Sequence, residues 1–296
     1  MVAVIATVDS YTPLRPLGPF LVLAQDADGT PLVLKCLGED RAADARARHE
    51  FRLEAWRAAQ LDGPRFTRAL DPGTAWQERP FYTMPYAEGP PATLVQPAEV
   101  AACVRQLAEA LAALHERGWV HAALEPTQLR RTEAGLVLVG YGNLTAHGQR
   151  ARRPGAGPYQ APEQRAGQPL DGRTDLYALG ALIHFWLTGE AGTELDLLDL
   201  VADPLADLGR WLLAPKPGDR PPDARTLLAA LDRVVPGPRR PEPLAPRAPW
   251  LAPPQLAAPS LAPFDTMLQQ LDAGEPVGRR LEALPGAGKS TWLDRA

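Results

Sequence analysis

Residues 121–128 read His121-Ala122-Ala123-Leu124-Glu125-Pro126-Thr127-Gln128, and Val139-Gly140-Tyr141-Gly142 follows shortly after. Between the two, Leu136 to Val139 is an apolar run expected to form a short buried strand. Upstream, Pro97 suits a first helical position, Val100, Val104, Leu107, Leu111 and Leu114 share one face, and Gly118 ends the helix. Downstream, Asp175 to Leu187 is apolar nearly all round, which predicts a buried helix stopped by Gly189. Leu205 to Leu213 and Ala224 to Val235 read as amphipathic helices. The first 90 residues look different. Phe20 to Ala24 and Pro31 to Leu37 are strand-like runs joined by the turn Asp26-Ala27-Asp28-Gly29. Asp40 to Gln60 favours helix, and Phe81 to Tyr86 is a further strand. A small strand-rich lobe followed by a larger helical one is an α+β architecture.

The charged and polar residues fall in a fixed order around this frame. Lys35 ends the strand Val33-Leu34-Lys35, and Glu54 lies in the following helix within Phe51-Arg52-Leu53-Glu54-Ala55. The stretches 121–128 and 139–142 come next. After them stand Tyr159-Gln160-Ala161-Pro162-Glu163-Gln164, then Thr174-Asp175-Leu176-Tyr177, then Pro217-Gly218-Asp219-Arg220. In order and spacing, the chain resembles a bacterial protein kinase of the eukaryotic-like Ser/Thr type over roughly residues 10 to 235. The resemblance implies a two-lobed fold, with residues 1–87 as the N-lobe and 88–235 as the C-lobe. It also implies a nucleotide cleft between the lobes. Lys35 would match the strand lysine that holds the α/β-phosphates, and Glu54 its helical partner. Phe81 to Gly89 would match the hinge, with Met84 bordering the adenine pocket and the backbone around Tyr86 facing the adenine edge. His121 matches a structural histidine, Glu163 and Arg220 an ion pair of the large lobe, and Asp175 the carboxylate that caps and anchors the central helix.

The same register shows what is missing. The catalytic aspartate of the family falls on Ala123 and the arginine before it on Ala122. The metal-holding asparagine falls on Gln128, and the metal-binding aspartate on Gly140. Mg²⁺ takes oxygen ligands, usually with one or two carboxylates, so no Mg²⁺ site is expected in this cleft. The glycine-rich phosphate loop is reduced to Arg15-Pro16-Leu17-Gly18-Pro19-Phe20, in which Pro19 has no N–H to offer a phosphate. Phosphoryl transfer rests on positioning and charge neutralisation, so these losses predict a catalytically inactive kinase-like module, a pseudokinase. Glu125 is the one carboxylate that an atypical active kinase could use. Lys35 and Glu54 carry two readings: residual binding of ATP or ADP without metal, or an ion pair bracing the small lobe. The segment 142–163 has one threonine, Thr145, and no serine, and its Arg150, Arg152 and Arg153 form either a solvated loop or a docking patch for an acidic partner. His115 and His184 are expected to pack or cap.

Composition bounds the rest. The chain has 296 residues, 45% apolar and 22% charged, with formal net charge −4. This is a globular composition with no electrostatic reason to expect nucleic acid as a partner. Cys36 and Cys103 form neither a disulfide framework nor a zinc spacing. The longest strongly apolar stretch, Leu176 to Leu187, is too short to span a bilayer. Met1 to Val8 lacks a basic region, so it does not read as a secretory leader. The expectation is a cytoplasmic protein with a protein partner and no membrane contact.

Of 31 basic residues only Lys35, Lys216 and Lys289 are lysine, and two of these fall in phosphate-binding patterns. The second lies in the tail. Ten of the 28 residues from Pro236 to Pro263 are proline, which reads as an extended linker. In 264–296, Ala283-Leu284-Pro285-Gly286-Ala287-Gly288-Lys289-Ser290 nearly matches a P-loop. Only six residues follow Ser290, so this segment is expected to be an incomplete start of a P-loop NTPase, from either the front part of a longer protein or a cut reading frame. As an alternative reading, the chain is the N-terminal part of a P-loop ATPase regulator.

Overall fold

The apolar runs of the N-lobe form a five-stranded antiparallel sheet in the order β1-β2-β3-β5-β4, built from β1 (Thr12–Gly18), β2 (Leu21–Gln25), β3 (Pro31–Cys36), β4 (Pro72–Trp76) and β5 (Arg79–Pro85). The computed structural model describes residues 11–235 apart from 71, 77–78, 94 and 152–156, and for 72–76 the backbone alone. The chain divides into two units, Met1–Pro238 and Arg239–Ala296, and the described residues all lie in the first. The expected linker 236–263 and the P-loop-like segment with Gly286, Gly288, Lys289 and Ser290 lie outside the described residues, as do Arg152 and Arg153.

Strand alternation sorts the sheet's side chains onto two faces. Leu32, Leu34, Cys36 and Phe81 close a small outer cluster with Tyr11 and Ala24. Val33, Tyr82 and Met84 join the main core on the other face. Lys35 lies between Leu34 and Cys36 and is therefore on this inner face. β1 was not expected as a strand. It carries Pro13 and Pro16, its pairing with β2 is irregular at both, and it lies on the sheet edge, where proline is tolerated because no ladder N–H is needed.

The expected helix over 40–60 is shorter and split. Glu39–Arg41 forms one turn of 3-10 helix, and α1 (Ala45–Ala59) starts after Asp44. The Asp44 carboxylate accepts the N–H groups of Arg46 and Ala47 at 2.9 and 3.3 Å, an N-cap that fixes where the helix begins. α1 buries Ala47, Phe51, Glu54, Ala55 and Ala58, a stripe of helical period. A glutamate inside that stripe needs partners to stay there.

The C-lobe starts with α2 (Pro97–Glu116), whose expected apolar face is buried. β6 (Trp119–Val120) pairs with β9 (Thr145–Ala146), and β7 (Leu129–Thr132) forms a hairpin with β8 (Gly135–Leu138). β7 was missed because Arg130 and Arg131 mask its period. After α3 (Pro162–Arg165) comes α4 (Gly172–Thr188), the central helix, buried on nearly all sides and ended by Gly189 in the left-handed conformation. α5 (Leu195–Asp199), α6 (Pro204–Leu212) and α7 (Ala224–Val234) follow. A Cβ at Gly180 would sit 2.7 Å from the Leu212 side chain, so glycine there lets α6 pack close on α4. Among the described residues no helix is long and apolar enough to cross a membrane.

Candidate functional site

The inner face of the N-lobe sheet and the loops at the top of α4 supply the candidate residues. On the sheet side, Lys35 Nζ contacts Glu54 Oε1, so the strand lysine and the helical glutamate meet as expected. A third residue joins them. The Tyr82 hydroxyl donates to the same carboxylate oxygen at 2.8 Å. Tyr82 faces Lys35 across the β3–β5 ladder and its ring lies 5.3 Å from that of Phe51. Burial, and then the Glu54 charge, hold the tyrosine pKa well above its usual value, so the hydroxyl stays a donor. Sequence reasoning missed Tyr82. Its signal was the two-residue spacing from Met84, which puts both on one strand face.

Met84 is buried at the end of β5, and half-buried Tyr86 follows it. The Arg15 guanidinium donates to the Tyr86 hydroxyl at 3.5 Å, linking β1 to the hinge segment. The β1–β2 connection is a tight turn. Gly18 pairs with Leu21, leaving Pro19 and Phe20 alone between them. The Phe20 carbonyl accepts from Cys36 N at 2.9 Å. A phosphate-cradling loop needs several free N–H groups, and this turn has no room for them.

Across the cleft, the segment 121–128 is held by its backbone. Asp175 sits in the first turn of α4 and is 1% exposed. Its Oδ2 accepts from His121 N at 2.8 Å and its Oδ1 from Ala122 N at 2.9 Å, and His115 Nε2 lies 2.8 Å from Oδ2. The Ala122 carbonyl accepts from Asn143 Nδ2 at 3.0 Å and Gln164 Nε2 at 2.7 Å. Asp175 therefore anchors the loop, but it does not cap the helix as expected. Asp171 does that, accepting from Arg173 N at 2.9 Å. Neither amide was legible as a loop anchor: Asn143 lies just past the 139–142 stretch, and Gln164 ends the stretch that begins at Tyr159 with no role attached to its side chain. His121 is buried against Tyr141, ring centroids 6.3 Å apart. Burial pulls its pKa down, and the nearby Asp175 charge pulls back.

Ala123 follows this clamp with no acceptor on its side chain. Glu125 turns into its own loop, accepting from the Thr127 hydroxyl and, at 3.2 Å, from Gln128 Nε2. A Cβ built at Gly140 would fall 1.5 Å from Gln128 Oε1, so the two positions are packed against each other. Among the described residues no group of three or more His, Cys, Asp or Glu is placed to hold a metal ion. The donors around Gln128 and Gly140, one amide oxygen and a carboxylate already engaged, do not fit Mg²⁺.

Glu163 and Arg220 form a two-pronged pair at 2.7 and 2.8 Å, and Thr174 Oγ1 adds a bond to Glu163 at 3.0 Å. The Arg220 guanidinium also lies 4.8 Å from the Tyr177 ring. Glu163, Thr174 and Arg220 are all buried. His184 packs within the C-lobe, its ring nitrogens 3.0 and 3.1 Å from the carbonyl oxygens of Glu190 and Glu194.

No protein-family profile matches the chain. The Myxococcus xanthus serine/threonine-protein kinase pkn3 is 30% identical over 228 residues, covering 69% of this chain and 40% of that protein. The human serine/threonine-protein kinase SBK2 is 31% identical over 257 residues, covering 79% of this chain and 72% of that one. The chain thus spans well under half of the Myxococcus relative. Among solved structures, the Mycobacterium tuberculosis PknI kinase domain superposes with a TM-score of 0.62 at 26% identity, over 79% of this chain and 99% of that domain. With the two-lobed α+β fold, the Lys35–Glu54 pair and the loop anchored on Asp175, these likenesses place the chain in the serine/threonine protein kinase family.

Proposed function

We propose that this chain is a catalytically inactive kinase-like module, a pseudokinase, with a regulatory or scaffolding role in signalling and residual binding of ATP or ADP without metal. One observation carries the reading. Asp175 holds the backbone of the 121–122 segment in place, and the residue this anchoring presents at 123 is alanine. The scaffold of a catalytic loop is kept without the group that would orient a substrate hydroxyl. Gly140 removes the second carboxylate. Loss of positioned acid–base and metal-holding groups costs orders of magnitude in rate. Lys35 and the backbone around Tyr86 remain as the groups that would hold a nucleotide, and they require no cation.

The test is transfer of radiolabelled phosphate from ATP to the chain itself and to a generic protein acceptor. The expected result is no transfer above background. Transfer that survives purification and disappears in Lys35→Ala would refute inactivity. A thermal-shift titration with ADP, with and without Mg²⁺, tests the binding part of the reading. The expected result is a shift that does not depend on the cation.

The second reading is an active Ser/Thr kinase with atypical residues. It draws on the names of the relatives and on Glu125, the one carboxylate in 121–128. The same transfer assay on Glu125→Gln separates the two. A third reading, in which the module regulates a P-loop ATPase beginning in 264–296, rests on the sequence motif at 286–290 alone. Detection of a Walker-type acidic motif in frame downstream tests it.

A further inference from the structure

We propose that Gln128 is a built-in occupant of the kinase metal position, and that Gly140 is glycine because the Gln128 carboxamide fills the space beside it. The inference rests on the pseudokinase reading and adds to it a device: the cleft keeps divalent cations out by a side chain of its own. Its ligand class is accordingly a nucleoside di- or triphosphate free of metal.

The geometry is specific. A Cβ at 140 would lie 1.5 Å from Gln128 Oε1 and 2.7 Å from its Cδ, so any side chain there, a carboxylate included, needs volume that the carboxamide holds. The carboxamide is fixed at its other end. Nε2 donates to Glu125 Oε1 at 3.2 Å and lies 3.4 Å from Thr127 Oγ1, and the Thr127 hydroxyl donates to the same Glu125 oxygen. Glu125 is the carboxylate of this loop, and its charge is met by donors of the loop rather than by a cation. The backbone closes the arrangement: Val139 N donates to the Gln128 carbonyl at 2.9 Å, holding residues 128 and 139 side by side.

Length matters here. Asparagine at 128 is one methylene shorter, so its amide would withdraw from Gly140 and leave room for a ligand at 140. The loss of the two metal-holding residues is thus one coupled change. Each substitution makes the other tolerable, and together they replace a cation by a hydrogen-bonded amide. A neutral amide offers a divalent ion far less than a carboxylate does.

The test has separate arms. Melting temperatures are measured for the native chain, Gly140→Ala, Gln128→Ala and the double variant. Gly140→Ala should lower the melting temperature in the native background, where it displaces the amide from Glu125. It should leave the temperature unchanged or raise it in the Gln128→Ala background, where the space is free. The two backgrounds should differ by about 2–4 °C, the effect of one hydrogen bond in a domain of this size. Equal effects in both backgrounds would overturn the coupling. Mn²⁺ alone is then titrated into the folded native chain and followed by loss of the free-ion electron paramagnetic resonance signal. No uptake, or uptake unchanged by Gln128→Ala and Glu125→Gln, supports exclusion. Uptake that either substitution abolishes overturns it, because these residues would then be ligands. An ADP titration distinguishes this inference from the reading beneath it. If ADP causes no shift, nucleotide binding fails while the melting cycle still judges the coupling. If Mg²⁺ tightens native ADP binding tenfold or more, the exclusion fails and nucleotide binding stands.

Discussion

Asp175 Oδ1 accepts the N–H of Ala122 at 2.9 Å while Ala122 sits at φ 58°, a left-handed conformation unusual outside glycine. The bond lies within a set that includes His121 N and the His115 ring. Asp175→Ala would leave two buried backbone N–H groups without their acceptor, and hydrogen bonds to a charged group are the stronger kind. The expected loss is at least about 3 kcal/mol of unfolding free energy in urea. Ala122→Gly is the contrast. It relieves a left-handed cost of about 1–2 kcal/mol but removes a buried methyl of roughly 0.8 kcal/mol. Its net change should stay within about 1 kcal/mol. A native-like midpoint for Asp175→Ala would show that the loop is held elsewhere.

The Glu163–Arg220 pair predicts a larger effect from one partner than from both. Arg220→Ala strands the Glu163 carboxylate, 5% exposed, and also strips a donor from the carbonyls of Ala214, Arg173 and Pro215. Breaking a buried pair in this way costs about 3–5 kcal/mol. The double variant Glu163→Leu/Arg220→Met removes both charges and should recover part of that loss. Urea denaturation of the three chains checks it, and a double variant less stable than Arg220→Ala would contradict the reasoning.

The elements read from the sequence were those whose period and stop signals agree. The apolar stripe of α2, the all-round apolar α4 with Gly189 after it, and the amphipathic α6 and α7 lie close to where patterning puts them. The misses have physical causes. β1 was hidden by prolines that an edge strand tolerates, β7 by consecutive arginines, and the start of α1 by a run of good helix formers that Asp44 interrupts as a cap. At the site, the motif residues fixed which side chains meet. What they could not show were contacts to which no motif assigns a role: Tyr82 on Glu54, Gln164 and Asn143 on the Ala122 carbonyl, and the fit of Gln128 against Gly140. These depend on side-chain direction, which sequence spacing across different elements does not encode.

His121 makes stability depend on pH. Its folded pKa lies below the usual value because burial disfavours the imidazolium. Between the folded pKa and about 6.5 the unfolded chain binds the proton and the folded one does not. Stability from this group is therefore complete above about pH 6.5 and falls as the pH drops, by up to about 1.4 kcal/mol per pH unit. Asp171 and Asp223, whose pKa values are lowered by hydrogen bonds from Arg173 and Thr226 against the cost of burial, lose their contribution only at lower pH, through their depressed folded values. Unfolding free energies between pH 5 and 7 should slope upward in the native chain. The slope should flatten in His121→Leu, whatever that variant's absolute stability. An unchanged slope would remove His121 as the cause.

The three-way contact of Lys35, Tyr82 and Glu54 bears on both the fold and the proposed ligand. Two donors converge on one carboxylate oxygen, so α1 is tied to the sheet through two different strands, β3 and β5. Either donor alone should hold Glu54 in part. Lys35→Met and Tyr82→Phe are expected to cost about 1.5–3 kcal/mol each, the scale of one hydrogen bond to a charged group. The double variant should cost more than their sum, by on the order of 1 kcal/mol, because it removes the second donor when the first is already absent. Additive losses would show that the contacts do not share a function. The same set reads the ligand. If ADP binds through Lys35, it stabilises the native chain by about 2.7 kcal/mol at a hundredfold excess over Kd. Lys35→Met should abolish that gain. A gain that survives Lys35→Met would place the phosphates elsewhere and leave the lysine as a brace for Glu54 alone.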